Sequence, residues 1–233
     1  MHIELFATYA HDIIIDANNK KTEKIGGPAF WLKKTFSNLK FPHTLHNDNK
    51  FAKVEITIEN GMEHGIIKKL PKINPIKYLD HKSGAIISTI GDEFDLGQLQ
   101  KFNNFIALDV QGYTRMLEGK NRKFHIDPGI AGKINLFKAT ENEAKRMAAT
   151  VITNAKSKLF LVTKGRNGFV LYHHGKKYTY KPNRIIRSRD AIGAGDTLLG
   201  SFVVHYFKYH NPKKAAKFAQ KYVENFLTKK SDG

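Results

Sequence analysis

The chain contains no cysteine. A disulfide framework, thiolate catalysis and a cysteine-bound metal are therefore excluded. Acidic residues are scarce: 21 Asp and Glu stand against 39 Lys and Arg, leaving a formal charge of +18 at pH 7. No apolar run approaches the length of a membrane span. The start, Met1-His2-Ile3-Glu4-Leu5, lacks a basic and then apolar leader pattern, so no secretory signal is expected and the cytoplasm is the default location. There is no Gly-x-x-x-x-Gly-Lys-Ser/Thr. Gly129-Ile130-Ala131-Gly132-Lys133-Ile134 is too short for it and lacks the hydroxyl, which excludes a Walker loop. Gly193-Ala194-Gly195 lacks the third glycine of a dinucleotide fingerprint. His43, His46, His173 and His174 show no metal-ligand spacing with a carboxylate.

What is present suits a globular protein. At 233 residues and 41% hydrophobic content the chain can bury a good core, and one domain over residues 1–233 is the default. The excess lysines come as scattered pairs, such as Lys20-Lys21, Lys68-Lys69 and Lys213-Lys214, without a basic block or an aromatic-basic module. That pattern describes a solvated surface attractive to anions such as nucleotides, rather than a nucleic-acid groove.

Short, mostly apolar runs at residues 3–8, 85–90, 105–109 and 159–163 read as buried strands, and residues 133–138 as a further strand. A helical pattern separates several of them, including Phe94, Leu96, Leu99 and Phe102. Strand–helix–strand spacing predicts a mostly parallel sheet with right-handed crossovers, covered by helices on both faces in an α/β three-layer sandwich. Residues 51–59 alternate instead, Asn60-Gly61 forms a turn signal, and residues 63–70 are partly extended. Together with residues 13–25 they are the material left for a second, minimal sheet, expected as a small β lid.

The most telling stretch is Arg189-Asp190-Ala191-Ile192-Gly193-Ala194-Gly195-Asp196-Thr197, followed by an apolar run from Leu198 to Phe207. A glycine-rich turn opening a buried helix offers free backbone N–H groups at the positive end of the dipole, which is an anion site. Asp196 within it suits a base that takes a proton from a hydroxyl attacking phosphorus. It equally suits a helix cap in a tight turn, and the residues alone leave both open.

Other positions carry the same two-sided meaning. Asp12 follows the first strand, where ligands of open α/β sheets bind, or else caps a turn. Gly26-Gly27-Pro28 opens a helix and lets backbone come close to a ligand. Gln111 and Arg115, beyond the strand ending at Asp109, offer donors and acceptors for several hydroxyls, or belong to a solvated loop. Thr140 and Glu143 spell a capping box. Thr163-Lys164-Gly165-Arg166-Asn167-Gly168 is a glycine-rich turn after a strand.

In this order the motifs resemble the ribokinase-like (phosphofructokinase-B) carbohydrate kinases, nearest the archaeal inositol and sugar kinase branch. Gly193-Ala194-Gly195-Asp196 resembles the family's C-terminal signature, in which the Gly-Ala-Gly amides form the anion hole and the Asp is the base. The resemblance implies that Asp12, Gly26, Gly27, Gln111 and Arg115 bind the acceptor. It further implies that Thr163, Gly165 and Gly168 line the nucleotide, and that Glu143 supports magnesium through water. Three positions depart from the pattern: Trp31 and Thr140 stand where asparagines are usual, and Ile192 stands where a threonine is usual.

The activity implied is transfer of the γ-phosphoryl of ATP, with Mg2+, to a hydroxyl of a sugar or cyclitol. The partners are then a polyol and ATP, on a monomer or homodimer. A nucleoside kinase shares every phosphate-handling element. A non-catalytic nucleotide- or nucleic-acid-binding protein on a degenerate kinase fold is the alternative of another class.

Overall fold

The structure, a computed structural model, describes residues 1–16, 18–47, 50–59, 62–72, 79–80, 82–116, 120–183, 186 and 191–231. The Asn60-Gly61 turn signal and Asp190 lie outside the described residues. In chain order, β1 (His2–Ala7), β2 (Tyr9–Ile15) and β3 (Lys21–Gly26) lead into α1 (Gly27–Asn38). Then come β4 (His43–His46), β5 (Phe51–Glu59), β6 (Met62–Lys69), β7 (Ser83–Ser88) and β8 (Ile106–Asp109). The short helices α2 (Gln111–Thr114) and α3 (Pro128–Lys133) precede β9 (Leu136–Thr140), α4 (Glu141–Ala144), α5 (Ala149–Ser157) and β10 (Leu159–Thr163). The chain closes with β11 (Phe169–His173), β12 (Lys176–Tyr180), α6 (Ala194–Tyr209) and α7 (Pro212–Ser231).

The larger sheet has eight strands in the order β12-β11-β10-β9-β8-β7-β1-β4. From β4 to β10 every neighbouring pair is parallel, and β11 and β12 add an antiparallel hairpin at one edge. Period-2 alternation splits its residues between two cores. Leu5, Ile86, Ala107 and Leu136 face one core with Leu32 and Phe36 of α1 and Leu199 and Phe202 of α6. Phe6, Ile87, Leu108 and Phe137 face the other, with Ile130 of α3 and Val151 of α5. The result is three layers, as the strand–helix alternation predicts.

The parallel strands all end at one edge of the sheet, and polar residues collect there. Thr8 follows β1, Ser88 ends β7, Asp109 ends β8, Thr140 ends β9 and Thr163 ends β10. Strand order reverses between β1 and β7, because β4 joins one side of β1 and β7 the other. Open α/β sheets bind ligands at such a reversal, beyond the carboxyl ends of the strands.

The smaller sheet runs β3-β2-β5-β6. It begins at Tyr9, earlier than residue 13, so β2 holds Asp12 within a strand rather than beyond one. Ala10, Ile14, Val54, Ile56 and Ile67 bury one of its faces.

Local chemistry explains the other departures from the sequence reading. Residues 94–102 form a 3-10 turn, Leu96–Lys101, instead of a full helix: Asp95 accepts from Gly97 N–H and fixes a tight start, and Gly97 disfavours helix continuation. Residues 133–135 end a helix and link it to the strand. Asp127 accepts from the N–H groups of Gly129 and Ile130 with Pro128 behind it, so the expected turn is a capped start of α3. Strand β4 had no apolar run to announce it; it forms by parallel pairing with β1 at the sheet edge.

Candidate active site

Helix α6 starts at Ala194, with Gly193 as its N-cap in the left-handed region at φ 84°. Glycine is required there twice over. The conformation disfavours other residues, and a Cβ would lie 2.2 Å from Trp31 Cδ2. Asp196 sits in the first turn, yet no side chain caps the helix. Ser88 Oγ donates to Asp196 Oδ1 at 3.3 Å instead. The capping role weighed for Asp196 is thus filled by Gly193, and its carboxylate turns toward the strand ends. Of the three amides expected to form an anion site, that of Ala194 donates to Ala191 O at 3.0 Å and closes the turn.

Three side chains beneath the turn were not singled out by sequence reasoning. Ser88, Asp109 and Lys138 each lie two residues after an inward apolar residue: Ile86, Ala107 and Leu136. Alternation therefore aims all three at the face that α6 covers. Asp109 and Lys138 are also register partners on adjacent strands. Lys138 Nζ donates to Asp109 Oδ2 at 2.8 Å, and Ser88 Oγ lies 3.4 Å from the same oxygen. All three are buried. The available signal was a polar residue in the inward register at the end of an apolar strand.

Burial dominates the electrostatics of Asp196. It raises the carboxyl to about 7, against the pull of Lys138 and with the push of Asp109. The group is therefore poised near neutrality rather than fully ionised there. Burial also raises Asp109, with Lys138 opposing. Lys138 is itself disfavoured as a cation by burial, but Asp109, Glu143 and Asp196 outweigh this, and it holds its proton more tightly than an ordinary lysine.

Glu143 forms the capping box foreseen in the sequence: its Oε2 accepts from Thr140 N–H at 2.7 Å, and Thr140 Oγ1 accepts from Glu143 N–H at 3.2 Å. Its other oxygen lies 3.7 Å from Arg115 Nη2. Gln111 enters the cluster through its backbone, donating to Asp109 Oδ1 at 3.1 Å. Among the described residues no group of three carboxylates or imidazoles could hold a metal directly. The donor set fits magnesium only as an ion carried by phosphate oxygens.

Asp12, Gly26 and Gly27 come together at the junction of the smaller sheet and α1. A Cβ at Gly26 would lie 1.9 Å from Asp12 Oδ2, so that carboxylate occupies the place of the missing side chain. Asp12 shares the buried face of β2 with Ala10 and Ile14, and Ile192 packs against that apolar cluster. The Gly193 turn thereby meets the face that carries Asp12. Trp31, on the helix that Gly26-Gly27 opens, covers Gly193 from the other side. Phe226 of α7 packs edge-on to Trp31 at 5.4 Å. Lys230 Nζ lies 4.7 Å from the Trp31 ring and donates to Ile192 O at 2.9 Å.

Thr163 ends β10 beside Thr140 in register. Gly165 has φ 55°, with open space where a Cβ would point, whereas a Cβ at Gly168 would lie 2.1 Å from Tyr180 O. Gly168 therefore has a structural reason of its own, set by the hairpin, and Gly165 faces outward.

This architecture and this turn define a ribokinase-like fold. A pyrophosphate-dependent kinase in the ribokinase family, solved with a pyrophosphate analog and myo-inositol, is similar at a TM-score of 0.74 and 16% identity, over 98% of this chain and 95% of that one. Ribokinase from Thermotoga maritima is similar at 0.66 and 17% identity, over 97% and 92%. Ribokinase from Arabidopsis thaliana, complexed with ribose and ATP, is similar at 0.66 and 14%, over 97% and 92%. Residues 129–231, from α3 to α7, match the pfkB family carbohydrate kinases. No curated protein sequence matches the chain.

Proposed function

We propose that this protein is a small-molecule kinase that moves the γ-phosphoryl group of ATP to a hydroxyl of a sugar or cyclitol. The carrying observation is Asp196: a carboxylate in the first turn of α6, relieved of capping by Gly193 and turned toward the ends of the parallel strands. In this reading Asp196 takes the proton of the attacking hydroxyl. The amides of Gly193 and Gly195 face the charge that develops on the transferred group, and Ala194 shapes the turn. Asp12 accepts from acceptor hydroxyls over Gly26 and Gly27, and Gln111 and Arg115 complete that side. Thr163, Gly165 and Gly168 border the nucleotide. Magnesium, where bound, neutralises phosphate charge, and Glu143 would hold its water shell.

Trp31 supports a cyclitol or other polyol over ribose, since an indole replaces an amide that would bond a sugar. A panel of sugars, inositols and nucleosides, run with ATP and with pyrophosphate, tests the reading. Phosphorylation of a polyol is expected. Absence of phosphoryl transfer to every acceptor from either donor, with tight sequence-selective nucleic-acid binding at physiological salt, would replace it by the binding-protein alternative.

A further inference from the structure

The chemistry above uses the backbone amides and the Asp196 carboxylate of the Gly193–Asp196 turn. Lys138 stands behind it. Its side chain is 4% exposed and its ammonium is held by Asp109 at 2.8 Å. A Cβ at Gly195 would lie 3.0 Å from Nζ, so nothing stands between the ammonium and the turn. Stability is a weak reason for such a pair. Two buried charges lose hydration that their attraction barely returns, and well-packed apolar replacements are often neutral or better.

We propose that Lys138 is a positioning residue for phosphoryl transfer: anchored by Asp109, its ammonium fixes a positive charge against the inner side of the turn, opposite the place where the phosphoryl group passes. This rests on the kinase reading. The ammonium acts in two ways. It draws negative charge toward the Gly195 side of the turn without moving during the reaction, as preorganised electrostatic groups do. It also attracts the Asp196 carboxylate and favours the proton-accepting form. The groups around Asp196 are Ser88 from β7, Asp109 from β8, Lys138 from β9 and Arg115 beyond α2, with Glu143 of α4 adding to the field at Lys138. Removing Lys138 leaves Asp109 pushing against Asp196, offset by the Ser88 hydrogen bond and by Arg115.

Three variants test this: Lys138→Met, Lys138→Gln, and Lys138→Met combined with Asp109→Asn, which leaves no unpaired buried charge. The readouts are kcat and acceptor KM against pH, and 13C NMR titration of the Asp196 carboxyl, which needs no activity. For the folded variants kcat should fall on the order of 10²-fold, the scale of losing one preorganised stabilising group. Acceptor KM should stay within about threefold; in the two single variants the acid limb and the NMR titration should move up by about one pH unit or more, and in the double variant, which also loses the opposing Asp109 charge, by less. Wild-type kcat in the double variant would mean that Lys138 only neutralises Asp109, and would overturn the proposal. Loss of folding in all three would assign Lys138 to stability and overturn it as well. Should the wild type transfer no phosphoryl group at all, the kinase reading fails separately. An unmoved Asp196 titration then overturns the hold of Lys138 on its own evidence.

Discussion

The Gly193–Asp196 turn has two unlike sides. Its inner side rests on Ser88, Asp109 and Lys138, three buried polar residues on the ends of adjacent parallel strands. Its outer side is held by Trp31 of α1, Phe226 and Lys230 of α7, and the contact of Ile192 with the smaller sheet. The inner side is rigid because strand register sets it, and its members have few ways to move. The outer side joins pieces far apart in the chain through an edge-on aromatic contact, one carbonyl hydrogen bond and a partly buried isoleucine. On the proposed reading, the inner side carries the proton and charge chemistry and the outer side holds the turn in place.

Substitutions should respect that division, with the largest losses on the inner side. Asp196→Asn keeps the shape of the carboxylate but cannot accept the proton, so kcat should fall by about 10²–10⁴. Its melting temperature should hold within a few degrees, because Gly193 is the cap; a large loss of stability with near-normal turnover would reverse the roles. Gly193→Ala forces a Cβ onto Trp31 and strains a φ of 84°. It should lower both melting temperature and kcat, the latter by roughly 10²-fold as the anion site distorts. Trp31→Ala in the same chain should return part of the stability but little of the rate, since φ stays strained. Full recovery would show that the contact, not the turn, is what matters.

Arg115→Ala should act mainly on the acceptor, raising its KM about tenfold, the scale of one charge-assisted hydrogen bond at a partly exposed site. An unchanged KM would remove Arg115 from the acceptor side and leave it as the partner of Glu143. Lys230→Met should have the smallest effect. It loses the bond to Ile192 O and the charge over Trp31, and kcat should drop only about two- to threefold, as for a surface change near ±0.5 kcal/mol. A loss as large as that of Asp196→Asn would erase the distinction between the two sides.

Much of the larger sheet was legible because β1, β7, β8 and β10 are short, mostly apolar runs, as expected of strands covered on both faces. The smaller sheet was legible in part, through the alternation in β5. The N-terminal share was harder to bound, because β2 follows β1 after a single residue, Thr8. The Gly193–Asp196 turn was visible as a motif, but its partners were not. Ser88 looks like a strand-end serine, and Lys138 like one more lysine in a chain of +18 charge. Their meaning arises from register, which places Asp109 opposite Lys138 and both under α6. Trp31 read as a missing amide. Its contact with Gly193 joins residues 162 positions apart, which no local pattern encodes.

The central claim is that Asp196 is a base whose burial sets its proton affinity near neutrality. A base works only when deprotonated, and burial raises this one to about 7. The most direct measurement is kcat/KM of the wild type against pH, with the acceptor identified from the panel. The account predicts a plateau above neutrality, half-maximal rate near pH 7, and about a tenfold fall for each further unit of acid. A profile that stays flat between about pH 5 and pH 8 would contradict it, because a carboxyl at its ordinary value, or one not involved in proton transfer, gives that result.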